Sequence, residues 1–301
     1  MVKLQDNETV RDNQKKPADR CRDIEKSVIK QFRKEIWRPF VKALNEYDMI
    51  QEGDNIAVCI SGGKDSMLLA KCMQEILRHG KMEFGLHFLV MDPGYAPANR
   101  QRIQDNAALL GIPIEILESN IFAVSERMDE RKPCYLCAKM RRGWLYHHAQ
   151  AMGCNKIALG HHFSDVIETT LMGMLYGGQI QAMRPKLHSN HFPGMELIRP
   201  LYCVHEEDII SWKRYNHLEF LQCACSFTEH CASGESDSKR AEMKQLIRTL
   251  KAGCPQLEKN IFNAIHDVNV DTLVGFSYHG TEKNFLSMFT EEGKQQKSNK
   301  P

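Results

Sequence analysis

Residues 56–80, IAVCISGGKDSMLLAKCMQEILRHG, set an apolar, β-branched run, a Gly-Gly loop and a helical apolar pattern end to end. All-helical and all-β folds do not accommodate that succession, which reads as the opening strand–loop–helix unit of a sheet covered by helices. The alternation continues with strands at 84–91, 114–117, 156–159 and 197–198 and helices at 99–110, 138–152 and 165–176. This order predicts an α/β fold, an open, mostly parallel sheet with helices on both faces. Upstream, Ile29, Phe32, Ile36, Trp37, Phe40, Val41 and Leu44 recur at helical spacing, so residues 24–47 read as one or two amphipathic helices capping the sheet domain. Helical patterns return at 206–215 and 238–252. The expected organisation is therefore a polar leader and helical extension at 1–50, the α/β domain at 51–252, and a C-terminal extension at 253–301 ending in a polar, disordered stretch.

Composition narrows the function classes. With 42% hydrophobic residues the chain can bury a large core, and its apolar runs fall short of the roughly 20 residues that span a bilayer. The N-terminus has neither an apolar core nor a small-residue cleavage site, which points to a cytoplasmic protein. Lys+Arg 40 against Asp+Glu 38 leaves a charge of +2, so a nucleic-acid partner would have to meet a local basic patch. Eleven cysteines, an odd count, argue for thiols, a metal or redox chemistry over a disulfide framework. Cys59 and Cys72 lie in apolar stretches and read as small buried hydrophobes.

The first strand runs directly into Ser61-Gly62-Gly63-Lys64-Asp65-Ser66 before a helix begins. Glycines let the backbone approach phosphate oxygens, the helix N-terminus offers unpaired N–H groups, the two serines can donate, and Lys64 adds a point charge. The spacing fits neither GxxxxGK[ST] nor GxGxxG. Asp92 ends a second strand, and Gly160-His161-His162-Phe163-Ser164-Asp165 ends another and opens a helix. Asp165 could hold Mg²⁺, orient an acceptor base or serve only as a helix cap. Cys134 and Cys137 form a CxxC followed by the basic run KMRRG, and zinc, an iron-sulfur cluster or a redox disulfide could each use the pair. Cys223, Cys225 and Cys231 lie further on. Lys139, Arg141, Arg142, Arg184, Lys186 and Arg199 are suited to RNA phosphates, and Tyr135, Trp144 and Tyr176 could stack a base.

SGGKDS resembles the pyrophosphatase loop of the N-type ATP pyrophosphatases (PP-loop superfamily), which adenylate a carbonyl oxygen and release pyrophosphate. GHHFSD resembles the GHHxDD segment of its tRNA-thiolating members, with Ser164 where an acid is usual. CxxC, KMRRG, ALGHH, YGG and IRPL occur in the order of the 2-thiocytidine tRNA thiolase family (TtcA-like), and the resemblance spans roughly residues 30–250. It implies a cytidine-to-2-thiocytidine sulfurtransferase acting on tRNA with ATP, Mg²⁺ and a 4Fe-4S cluster whose open iron carries sulfide. By the same resemblance Cys134, Cys137 and a distant cysteine hold the cluster. The distant ligand aligns best with Cys223, with Cys225 or Cys231 as substitutes. Ser61 to Ser66, Asp92, Gly160 and His161 would line the ATP site. Lys64, Asp65, Asp165 and Arg141 would carry the chemistry. A sulfide donor such as a cysteine desulfurase is implied, and a homodimer is compatible with it. The competing readings are an amidating or lysidine-type PP-loop ligase, a sulfur transferase with a non-tRNA acceptor and a zinc or iron-sulfur site, and an ATP-binding sensor or sulfide carrier.

Overall fold

The computed structural model describes residues 17–119, 133–221, 235–287 and 289, with the backbone alone at 17, 133–139 and 235–238. Six strands form one sheet: β1 (Asn55–Ile60), β2 (Gly85–Asp92), β3 (Ile114–Glu118), β4 (Lys156–Ala158), β5 (Lys186–His188) and β6 (Glu196–Ile198). Their order is β3-β2-β1-β4-β6-β5, parallel except for β5, which runs antiparallel to β6. Residues 56–60 of β1 and 88–92 of β2 are buried without a break, as a parallel strand covered on both faces requires. The helix after β1, α3 (Lys64–His79), buries Met67, Leu68, Leu69, Ala70, Cys72 and Met73. Each large apolar side chain so buried contributes about 1.5–3 kcal/mol.

From β1 the chain crosses to β2 on one side, and β4 joins β1 on the other. The order therefore reverses between β1 and β4, and the crevice beyond their carboxyl ends is where open α/β sheets bind ligands. Val58 pairs with Ala158, and Ala158 with Ile198, so β1, β4 and β6 end on one edge.

The other helices of this body are α1 (Pro17–Lys26), α2 (Arg38–Glu46), α4 (Pro97–Leu110), α5 (Pro133–Ala151), α6 (Phe163–Gly177), α7 (Glu206–Tyr215) and α8 (Glu235–Lys251). The expected amphipathic helix at 24–47 is present, but its middle, Ser27–Gln31 and Arg33–Trp37, widens to π geometry. The buried Ser27 hydroxyl explains part of this: it donates to the Ile24 carbonyl at 2.6 Å and accepts from Trp212 Nε1 at 3.1 Å and Asn216 Nδ2 at 2.9 Å. A side chain that bonds backbone and neighbours alike competes with the regular helical ladder. Lys71, fully buried, ties α1 to α3 and α4 through Glu25 Oε1 at 2.8 Å and the Leu110 carbonyl at 2.7 Å.

The chain divides into two compact units, 1–246 and 247–301, and the division falls inside α8. The second unit contains α9 (Leu257–Ala264) and an antiparallel hairpin, β7 (Gly275–Tyr278) with β8 (Thr281–Asn284). Neither this hairpin nor the three-residue β5 carries a run of β-branched residues, so neither is legible in the sequence. The polar end, 290–301, lies outside the described residues. No helix among the described residues is long and apolar enough to cross a membrane.

Candidate functional site

β1 delivers Ser61 to the crevice, and two hydroxyls hold the loop that follows. Ser66 Oγ accepts from Ser61 N at 3.2 Å, lies 3.2 Å from Ser61 Oγ and donates to the Gly63 carbonyl at 3.0 Å. Gly62 turns with φ +83°, and a Cβ there would stand 2.7 Å from Ile103 Cγ1, so the turn needs glycine. Gly63 caps α3 with no side-chain bond, which leaves the first N–H groups of a buried helix to an anion. Lys64 Nζ lies 3.1 Å from Asp65 and 3.0 Å from Glu206 Oε1. Burial works against its charge, but the two carboxylates prevail and raise its pKa.

One strand over, Gly160 packs so tightly that a Cβ would meet Asp65 C and Ser66 N at 3.1 Å. That contact locks the two loops together. His162 caps α6 reciprocally: its Nδ1 accepts from Asp165 N at 3.3 Å, and Asp165 Oδ2 accepts from His162 N at 3.1 Å. Asp165 is thus the third residue of the helix, and its histidine neighbour is the cap. His162 Nε2 also reaches Asp65 Oδ1 at 3.7 Å. Ser164, standing where an acid was expected, accepts from Glu206 N at 3.3 Å and so brings the Glu206 carboxylate of α7 to Lys64.

The charges close into a ring. Lys64 pairs with Glu206; Glu206 with Lys244 at 2.9 Å; Lys244 with Glu168 at 3.9 Å; Glu168 with Arg240 at 3.7 Å; Arg240 with Asp165 at 3.2 Å. His162 and Asp65 return the circuit to Lys64. Despite burial, Lys244 and Lys64 hold Glu206 at about 2. Glu168 goes the other way: burial pushes it up to about 7 against the pull of Lys244 and Arg240, and its Oε2 has no hydrogen-bond partner. Glu168, Glu206, Arg240 and Lys244 were not singled out in the sequence. Glu168, one helical turn beyond Asp165, was the only one with a local signal.

Beyond the ring, His161 is held neutral, its pKa lowered to about 4 by burial and then by Arg199. Its Nδ1 is buried with no partner. Arg199 follows β6, is 8% exposed, and gives NH1 to the Arg184 carbonyl while Nε is buried and unpaired. A buried polar group without a partner costs about 1–3 kcal/mol, more when charged. Burial, then the Arg142 charge, lower Arg199 to about 10.

The remaining expected residues are dispersed. Asp92 is buried and accepts from Gly94 N at 2.9 Å and Tyr95 N at 2.7 Å, so it organises its own turn. Arg141 and Arg142 lie on α5, exposed or half-buried, with no ion pair among the described residues. Two members of the expected basic surface differ from expectation. Arg199 is buried, and Lys186 is spent on Glu196 at 3.3 Å and the Asp48 carbonyl at 2.8 Å. Trp144 stacks on His148 within its own helix, centroids 3.8 Å apart, and is not free for a base. Tyr176 is exposed, under Lys239 at 5.3 Å.

Cys134 and Cys137 open α5, and their side chains, with Tyr135, Lys139 and all of Cys223, Cys225 and Cys231, lie outside the described residues. Six cysteines are described, and all are free thiols. Among them burial pushes Cys59 up to about 12 and Cys154 to about 11. Among the described residues no three His, Cys, Asp or Glu side chains gather as a metal site.

The order reversal at β1 and β4, with a glycine loop on one strand and a capped acidic helix on the other, defines a nucleotide-binding PP-loop fold. The family model described as a PP-loop domain matches residues 30–227. The chain shares the fold of U34-tRNA thiolase NcsA from Methanococcus maripaludis, solved with its 4Fe-4S cluster, at TM-score 0.62 and 21% identity, over 81% of this chain and 84% of that one. It is 33% identical over 230 residues to the tRNA-cytidine(32) 2-sulfurtransferase of Geotalea uraniireducens, covering 75% of this chain and 88% of the relative. It is 30% identical over 253 residues to the protein so named in Anaeromyxobacter sp. strain K, covering 83% and 84%. The chain belongs to the tRNA-cytidine(32) 2-sulfurtransferase family of PP-loop proteins.

Proposed function

We propose that this chain is an ATP-dependent sulfurtransferase that converts cytidine 32 of tRNA to 2-thiocytidine, releasing AMP and pyrophosphate. The observation that carries the reading is the meeting of the Ser61–Ser66 loop with Gly160, His162 and Asp165 at the point where the strand order reverses. The C2 carbon of cytosine is amide-like and its oxygen a poor leaving group, so activation must precede exchange. The open N-terminus of α3 and Lys64 bind the β- and γ-phosphates. Cytosine O2 attacks the α-phosphorus; the new O–P bond forms as the bond to pyrophosphate breaks. Sulfide sulfur then adds at C2, and AMP departs with the former O2.

Asp65 and Asp165, each beside His162, are the carboxylates that would hold Mg²⁺, which would offset charge on the departing pyrophosphate. Cys134, Cys137 and Cys223 are the residues that would hold the 4Fe-4S cluster. The donor chemistry fits: the first two sit in the opening turns of α5, where the helix end favours thiolate, while the buried Cys59 and Cys154 are held protonated. When bound, the cluster supplies sulfur as a nucleophile, replenished by a donor such as a cysteine desulfurase.

Mass spectrometry of tRNA nucleosides from cells lacking this protein tests the reading. Loss of 2-thiocytidine, restored by the wild type and not by Asp65→Asn, is expected; unchanged 2-thiocytidine in an organism with no second such enzyme overturns it. Cys134→Ala, Cys137→Ala and Cys223→Ala should each lose iron and thiolation while ATP affinity stays within about twofold, because a metal site loses its binding free energy with one ligand and the glycine loop does not. If Cys225→Ala bleaches the protein and Cys223→Ala does not, Cys225 is the third ligand.

A further inference from the structure

Three cationic or donor groups lie outside the charge ring, and two of them, Arg199 and His161, each keep a buried nitrogen without a partner. Arg199 stands just past the end of β6 and His161 just past the end of β4, and the two strands are adjacent, with Leu159 N donating to the Ile198 carbonyl at 3.0 Å. Arg142 projects from α5, which packs across β1, β2 and β4, and its charge is felt at Arg199 and at the buried Tyr146 one turn on. Arg199 Nε and His161 Nδ1 are both buried and unpaired, and neither arginine has a carboxylate partner among the described residues. The nearest acid, Asp165, already holds Arg240 and the His162 N–H. Two guanidiniums that repel each other, beside a neutral histidine and with the nearest carboxylate already engaged, describe a seat for an anion.

Arg199 stands away from the ATP loop, with His161 between the two. From β1 across β4 to β6 is two strand spacings, about 10 Å along the sheet edge. The triphosphate belongs to the α3 N-terminus at β1. A base presented to its α-phosphate carries its own backbone phosphate on the far side of a ribose, displaced from the loop by the length of a nucleoside.

We propose that Arg142, Arg199 and His161 form a socket, floored by the buried Arg199 and His161 and open to solvent at the exposed Arg142, for one phosphodiester of the acceptor RNA, fixing the nucleotide whose base is modified. The inference rests on the reading that this chain modifies RNA. The test uses the cluster-loaded, full-length protein and tRNA anticodon stem-loops in which single phosphodiesters around the target nucleotide are replaced, one at a time, by neutral methylphosphonates. For the wild type, one position should weaken binding about tenfold, as loss of a charge-assisted contact does. Arg142→Ala, an exposed position whose loss does not threaten the fold, should weaken the unmodified RNA to a similar degree, and the sensitive methylphosphonate should then cost less than twofold. The salt dependence of RNA binding should lose about one counterion. Arg199→Lys, which keeps the charge and loses the forked donor, should behave alike, and ATP affinity should be unmoved in both. RNA affinity within twofold of wild type in both variants overturns the socket. So does a loss of ATP affinity in place of RNA affinity, which would give the seat to the nucleotide's own phosphate. A wild-type protein that binds no stem-loop brings down the RNA reading along with it.

Discussion

The two ends of the same sheet bury charge in opposite ways. At the amino ends of the strands, Lys156, 2% exposed, donates to Asp54 Oδ2 at 2.6 Å, to the Met49 carbonyl at 3.1 Å and to Gln51. Asp54 in turn accepts from Gln51 N at 2.6 Å and Asn155 Nδ2 at 2.7 Å, and these bonds with Lys156 hold its pKa down against burial. Lys156 and Asp54 are answered from within the chain, and the one buried atom there that lacks a hydrogen bond, Glu196 Oε2, still lies 3.3 Å from both Lys156 and Lys186. At the carboxyl ends, Glu168 Oε2, His161 Nδ1 and Arg199 Nε are buried without hydrogen bonds. Burial of charge does not by itself mark a site; burial of charge left short of partners does, because the missing partners are what a ligand brings.

Removing a partner at the saturated end should cost the most. Lys156→Met leaves Asp54 buried without its cation and should destabilise the fold by about 3–5 kcal/mol, read as a fall in Tm, with ATP affinity of the folded fraction unchanged. A loss under 1 kcal/mol would erase the contrast between the two ends. At the other end, Lys64→Ala and Asp65→Asn should lower pyrophosphate release by about 10²–10³-fold, as removal of one group facing developing charge does, with little change in Tm. Normal release by both would take the loop out of the chemistry.

Glu168 gives the smallest and sharpest test. Its folded pKa of about 7 stands above the ordinary 4.5, so the native state binds the proton more tightly than the unfolded chain. Its contribution to stability is therefore present at low pH and lost as pH rises through about 7. Glu168→Gln cannot titrate, so relative to wild type it should gain ~2–3 kcal/mol between pH 5 and pH 8, measured by chemical denaturation across that range. A gap that stays flat with pH would mean that Lys244 and Arg240 keep the carboxylate ionised throughout.

Much of the fold was legible along the chain. The strand at 84–91 is β2 shifted by one residue, the helix at 206–215 is α7, and the Gly-Gly loop lies between β1 and α3. Local propensity and periodicity decide such elements over a few residues, and SGGKDS and GHHFSD each sit where a strand becomes a helix. Their shared edge was also implied, since parallel strands all end on one side. Two things lay outside that reach. One is the ring, in which Lys64 meets Glu206, 142 positions away, and Asp165 meets Arg240, 75 positions away. The other is the state of Arg199, which as a basic residue in sequence is indistinguishable from a surface phosphate contact and in the fold is buried beside His161. A sequence lists which charges a chain possesses, but the free energy of each depends on the water removed from it and on the partner facing it, and only the folded chain sets those two quantities.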